Sequence, residues 1–462
     1  MADMSSPTGA APPGSPPLLL RGATVLTLDP AATVLPAGDL LIEGGRVAAV
    51  GSSLAATPGA RVLELSGHLV LPGLVQGHLH LGQTAFRGLA EGRRLLPWLR
   101  ERIWPLEAGH DDESAYWCSL LGAAECLLGG TTTIQDIGIG PGAAGLLRAI
   151  DESGLRGLAG MCLMDAGEGA PAGLIGDTDE VLARTEALGK GLTANDSGGR
   201  LAYVLNPRFI LSCSDELWSG VVALSECHGW PIHTHALEQA EETAQVRQLK
   251  ADRDEIEYFD DSGVLARDLR IAHGVWLDDG HLRRVKTECF SVVHCPSSNL
   301  KLGSGIANLA AVRAAGVAVG IGADGAPCNN DLDAWEEIRL AALLAQLKSG
   351  PGALTGLEAL RLATSEGARA LGLENEVGSI EVGKAADLVV LAGDRPELWA
   401  GPAADPHDTV VFGASRAAVR HVLIAGELVV EDGVLTGLDL ANLRREATRT
   451  LDAVVARSGL SL

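Results

Sequence analysis

Eight short apolar runs punctuate the middle of the chain, and five of them carry histidine, or an aspartate in a Gly-flanked turn, at or near their ends: GLVQGHLH, WPIHTHALE, LRIAHGV, FSVVHCP and VAVGIGADG. The other three are TTTIQDIG, LRGLAGMCLMD and RLAYVLNPRF, and helix-like stretches separate most neighbours. Strands that alternate with helices in this way belong to a parallel sheet, because parallel neighbours need a long crossover between them. Eight such units match the (β/α)8 pattern, an α/β fold of the TIM-barrel type whose reactive side chains sit at the C-terminal strand ends. An open doubly wound sheet is the structural alternative, but it would not bring the first strand beside the eighth, whereas closure does.

The flanks read differently. LLLRGATVLTL, DLLIEGGRVAAVG and RVLELSGHLVLPG near the start, and GSIEVGKAADLVVLAG and AVRHVLIAGELVVEDG near the end, are short strands with Gly-Gly and Asp-Gly turns. They predict a small composite β-sandwich over residues 17–70 and 384–440, around a catalytic barrel over 71–383. Residues 1–16 are expected to be a disordered tail, and 441–462 an amphipathic helix packed on the small domain. The stretch from Asp165 to Arg200, with one helical run, reads as a long excursion after the third strand, of the kind that forms lids.

The chain has 462 residues, enough for one large core and a satellite. Its net charge of -23 is spread along the sequence, which argues against nucleic acid or an anionic membrane as a partner. Eight cysteines without a CxxC pair read as reduced thiols. The start lacks the basic and apolar segments of a signal peptide, and no run approaches about 20 apolar residues. A cytoplasmic enzyme is the expectation.

Residues two apart on a strand face the same way, so His78 and His80 both point into the barrel mouth. His233 and His235 repeat that spacing on the fifth strand, with Glu238 three residues on. His233 falls one layer deeper and reads as a support or core residue in preference to a ligand. His273 ends the sixth strand, and Asp324 ends the eighth in a Gly-flanked turn. Imidazole and carboxylate together suit a borderline cation such as Zn²⁺, with His78, His80, His235 and Asp324 as candidates and Glu238 and His273 beside them. His68, His110, His228, His281, His407 and His421 lie away from the strand ends and read as structural or surface residues.

Together the motifs LPGLVQGHLH, HALEQAEE, AHGVWL, VVHCPSSNLKLGSGIANL, GADGAPCNN and GSIEVGKAADLVVL resemble the amidohydrolase superfamily, and within it the purine and nucleoside aminohydrolases. The resemblance implies one Zn²⁺, or Fe²⁺ in its place, held by His78, His80, His235 and Asp324. It also implies that His273 contacts the attacking water. Glu238, His273 and Asp324 would then carry protons, and Glu107, Arg208, Phe209, Glu238, His294 and Asp324 would contact substrate. PWLRERIWPLEAGH resembles the segment whose glutamate grips ribose hydroxyls in 5′-methylthioadenosine/S-adenosylhomocysteine deaminases, which points to Glu107. NPRF instead resembles guanine deaminases, in which Arg208 and Phe209 would hold the base.

Met161 and Met164 follow the third strand, where relatives that take S-adenosylhomocysteine are expected to offer arginine. Apolar residues there suit a 5′-methylthio or 5′-deoxy group. The reading favoured is deamination of a 5′-modified adenosine. The alternatives are a guanine or oxidised-purine deaminase, a triazine-type hydrolase, and a non-catalytic barrel. A binuclear amidase is disfavoured, since the fourth strand offers Tyr203, Asn206 and Arg208 but no lysine. A homo-oligomer is expected by analogy alone.

Overall fold

The computed structural model describes residues 16–194, 199–401 and 403–461, so the tail expected over residues 1–16 lies, but for its last residue, outside the described residues. The first strands are β1 (Leu18–Leu26), β2 (Val34–Glu43), β3 (Arg46–Gly51), β4 (Arg61–Glu64) and β5 (Leu69–Pro72). The central ones are β6 (Leu74–Leu79), β7 (Thr131–Asp136), β8 (Arg156–Ala159), β9 (Cys162–Leu163), β10 (Leu201–Tyr203), β11 (Asn206–Pro207), β12 (Ile232–Ala236), β13 (Leu269–His273), β14 (Phe290–His294) and β15 (Ala318–Ile321).

All pairings among the central strands are parallel, in the orders β6-β7-β8-β10 and β12-β13-β14-β15, with β9 beside β11. Isolated parallel bridges pair Leu79 of β6 with Asp324, just past β15, and Leu205, between β10 and β11, with Ile232 of β12. The molecule is thus an α/β protein whose helices alternate with parallel strands. Gly322 makes one of those bridges possible, since a Cβ there would lie 2.4 Å from the His78 carbonyl oxygen.

The third and fourth runs are each split into two short strands. The break in the third falls at Gly160, where a Cβ would stand 2.0 Å from the carbonyl oxygen of Val204. Strand periodicity does not reveal so close an approach by a neighbour.

The last strands are β16 (Leu388–Leu391), β17 (Val419–Ile424), β18 (Glu427–Glu431) and β19 (Val434–Leu435). They combine with the first five in one nine-stranded sheet, ordered β19-β18-β17-β16-β5-β1-β2-β3, with β4 also on β1. The two chain ends meet where β5 and β16 pair antiparallel, Leu69 opposite Leu391 and Pro72 opposite Leu388. This sheet has its own apolar core, including Leu20, Val25, Leu40, Ile42, Leu388 and Leu423. A buried ion pair ties it to the central strands: Arg156 on β8 donates to Asp387 at 2.7 Å, and Asp387 also accepts from the Ala425 N–H.

The long excursion carries a helix over Thr178–Ala194. Asp165 anchors it, accepting from Thr178 Oγ1 and from the Ser214 N–H, both at 2.7 Å. The final helix, Leu440–Ser458, corrects an expectation. It packs on the helix Asp112–Leu128 and the segments around it, with Leu443 against Tyr116 and Leu120, and Val454 against Phe86 and Leu106. Its buried face of Leu443, Ala447, Thr450 and Val454 matches that apolar surface, so the small sheet is not its main support. No described helix is long and apolar enough to cross a membrane.

Candidate metal centre and active site

Strand ends bring the predicted residues to one place. His78 and His80 come from the end of β6, His235 from β12, His273 from the last position of β13, and Asp324 from just past β15. Two overlapping groups of ligand atoms, His78, His80 and Asp324 and then His78, His235 and His273, lie within 4.8 Å of one another. His273 and Asp324 have positive φ, 73° and 62°, as does Leu237 before Glu238, at 55°. Residues other than glycine held there cost about 1–3 kcal/mol each, and such strain concentrates where side chains must be aimed.

The imidazoles are oriented from behind. His235 Nδ1 donates to the Arg208 carbonyl at 2.6 Å, and His273 Nδ1 meets Asn299 Oδ1 at 2.9 Å. His78 Nδ1 lies 2.8 Å from His233 Nε2. The side-chain amide of Gln83 reaches both His80 Nδ1, at 3.1 Å, and Glu107 Oε1, at 2.7 Å. The Nε2 atoms therefore turn toward a common point, and those of His78 and His273 are buried without a hydrogen bond among the described residues.

The spacing around that point fits a cation. His80 and His235 Nε2 are 3.1 Å apart, and Asp324 Oδ1 lies 3.4 Å from Nε2 of both His78 and His80. Ligands about 2.0–2.1 Å from a tetrahedral zinc ion stand roughly 3.3 Å from each other. Burial lowers the pKa of each imidazole, the direction that favours the neutral ring a cation needs. Asp324 is held well below the usual carboxylate range: burial opposes ionisation, but the His78 contact and the facing His78, His80 and His273 overcome it. Its Oδ2 accepts from Ser298 Oγ at 2.7 Å.

Glu238 is the counterpart. Burial, reinforced by the charge of Asp324, pushes its carboxyl up to about 8. Oε2 lies 3.5 Å from His273 Nε2, and Oε1 accepts from Ser304 Oγ at 3.2 Å. Glu242 fixes the backbone here, accepting from the N–H groups of Glu238 and Gln239. The site thus places two carboxyl groups beside His273, Asp324 with its pKa lowered and Glu238 with its pKa raised.

The cavity above has a polar floor of His80, His235, Glu238, His273 and Asp324 and an apolar wall of Leu95, Trp98, Leu99, Phe209 and Leu302, with Arg208 at its side. Glu107 and His294 do not line it. Glu107 sits behind Arg208 and accepts from its Nη1 at 2.6 Å. His294 is buried at the end of β14, where burial above all lowers its pKa to about 3. Met161 and Met164 line a neighbouring cavity with Cys162, Leu174 and Val181, and Glu180 and Arg184 also border it.

Sequence reasoning missed Gln83, Glu242, Asn299, Ser298 and Ser304. The last three lie inside a motif already singled out, SSNLKLGSG, yet nothing local distinguishes a serine aimed at a carboxylate from one at a helix end.

The sequence profile of the amidohydrolase family matches residues 69–429. A 5-methylthioadenosine/S-adenosylhomocysteine deaminase of Halobacterium salinarum is 36% identical over 444 residues, covering 95% of this chain and 99% of its own. A 5′-deoxyadenosine deaminase of Methanopyrus kandleri is 36% identical over 389 residues, covering 84% and 87%. Among solved structures, an adenosine deaminase from Xanthomonas campestris with bound zinc superimposes with a TM-score of 0.88 at 30% identity, covering 96% of this chain and 100% of that one.

Proposed function

The chain belongs to the amidohydrolase family, and from that premise we propose that it is a metal-dependent aminohydrolase converting a 5′-modified adenosine to the inosine analogue and ammonia. The observation that carries the reading is the placing of Glu238 Oε2 and Asp324 Oδ2 at 3.5 and 3.8 Å from His273 Nε2, within the cluster of histidines. Hydrolytic deamination needs both an acid and a base in one slot. The relatives named as deaminases of 5′-methylthioadenosine and 5′-deoxyadenosine supply the substrate class.

In this reading His78, His80, His235 and Asp324 hold one Zn²⁺, with Fe²⁺ as the alternative. When bound, the cation supplies the positive charge that makes a water molecule nucleophilic near neutral pH. His273 Nε2 and Asp324 Oδ2 would orient that water, and Asp324 would take its proton. The apolar wall holds the purine plane and excludes bulk water. Glu238 gives its proton to the ring nitrogen next to the amino-bearing carbon, so that no negative charge builds up there as water adds. Asp324 then passes that proton to the amine, ammonia leaves, and the remaining hydroxyl proton restores Glu238 as the carbonyl forms.

Arg208 and Phe209 border the base and His294 supports the far side of the pocket. Glu107 would accept the ribose hydroxyls with the lone pairs not used by Gln83 and Arg208, a contact that requires Arg208 to move aside from the carboxylate it now covers. Met161 and Met164 receive the 5′ substituent. The central strands close as a (β/α)8 barrel over about residues 71–383. The nine-stranded sheet folds over its own core as a sandwich from 17–70 and 384–440, with 441–462 as a separate helix. The enzyme works in the cytoplasm, where its eight free thiols stay reduced, on a small molecule, as a homo-oligomer.

A second reading, deamination of guanine, is favoured by one observation: Arg208 and Phe209 border the cavity and Glu107 does not. Ammonia release by the zinc-loaded protein from 5′-methylthioadenosine, 5′-deoxyadenosine, S-adenosylhomocysteine, adenosine and guanine separates the two. Turnover of the adenosines is expected, and guanine alone would retire the nucleoside reading.

A further inference from the structure

His233 is fully buried in β12, and neither of its ring nitrogens faces the cavity. Nδ1 lies 3.1 Å from the Arg270 carbonyl oxygen, and Nε2 lies 2.8 Å from His78 Nδ1. A carbonyl oxygen only accepts, so the proton of His233 is on Nδ1. With that proton placed, Nε2 of a singly protonated ring is a lone pair, and the hydrogen between the two imidazoles belongs to His78 Nδ1. His78 then has no proton left for Nε2, the nitrogen that lies 3.4 Å from Asp324 Oδ1 without a hydrogen bond among the described residues.

The root of this chain is Arg270, paired in register with His233 across β12 and β13. Its guanidinium is enclosed, donating to Gln135 Oε1 at 2.8 Å and to Asp268 Oδ2 at 2.8 Å. Gln135 in turn donates to the Gly77 carbonyl at 3.0 Å. Two arms therefore leave Arg270 and converge on His78, one on its ring through His233 and one on its main chain through Gln135.

We propose that His233 is a positioning residue that fixes the tautomer of His78, so that Nε2 is bare and aimed at the metal centre before any cation arrives. The inference rests on the reading of His78 as a metal ligand. Outer partners of this kind are worth about 10–100-fold in metal affinity.

The test uses the full-length chain with ¹⁵N-labelled histidine, stripped of metal, with His78 identified by its absence in a His78→Asn variant. Long-range ¹H–¹⁵N spectra should show His78 protonated at Nδ1 and bare at Nε2; a proton on Nε2 in the unsubstituted protein overturns the proposal without any variant at position 233. Chelator competition with Zn²⁺ then compares His233→Leu, which removes the acceptor, with His233→Gln, whose carbonyl can replace it. Weakening by about 10–100-fold in the leucine variant, and recovery of most of it in the glutamine variant, are expected. Equal weakening in both, with unchanged melting curves, would assign His233 to packing alone. The tautomer decides the relay even if the unsubstituted chain binds no zinc, a result that would overturn the metal centre instead.

Discussion

Glu107 and Arg208 form an enclosed ion pair, with Arg208 Nη1 2.6 Å from Glu107 Oε2 and their side chains 1% and 4% exposed respectively. From the sequence, one residue pointed to ribose and the other to a free base; in the fold they are partners. Removing the carboxylate leaves a buried guanidinium without its counter-charge. Glu107→Ala should therefore destabilise the protein by about 3–5 kcal/mol in urea unfolding. Glu107→Gln, which keeps the shape, should cost less stability but slow nucleoside turnover more than turnover of a free base.

Asp324→Asn should lower ammonia release by about 10³-fold or more, because the site loses an anionic ligand and a proton acceptor together. Far-ultraviolet dichroism should be unchanged, and zinc content after dialysis should fall. Full activity in this variant would end the metal mechanism.

For Glu238 the sign of the pH effect follows from its raised pKa. The carboxyl is protonated below about 8 and loses its proton as pH rises through that value. A bound cation pulls the value down. The kcat profile should thus fall on its basic side at or below about pH 8, and Glu238→Gln should remove that limb while lowering kcat by about 10²–10⁴-fold. A limb that survives the substitution belongs to another group.

Gly325 leaves room for the amide that touches His80. A Cβ there would lie 2.3 Å from Gln83 Oε1, the far end of a side chain that can move. Gly325→Ala should fold, because its φ of -93° is open to alanine. Displacing Gln83 should weaken zinc binding by roughly tenfold in chelator competition. An unchanged affinity would show that Gln83 does not orient His80.

The strand ends were legible because a strand advertises its faces by a period of two and its end by a Gly-flanked polar residue. That is why His78, His80, His235, His273 and Asp324 could be gathered before any coordinates. What lies behind them was not legible. Arg208 and Glu107 are 101 residues apart, and His78 and His233 are 155 apart, so their pairings depend on how strands stack around the sheet and not on local pattern. The terminal helix shows the same limit: its apolar stripe announced that it would be buried, but not on which neighbour.

The pairing of β5 with β16 has a consequence for how the protein is made. β5 is complete when synthesis reaches Pro72, but its partner does not exist until the ribosome has passed Leu388. Throughout the interval the nascent chain carries an apolar strand with one open edge, a template for unwanted pairing with other chains. Newly made molecules are therefore most exposed to aggregation while nearly all the catalytic residues have already been translated, and a shielding partner would matter most in that window.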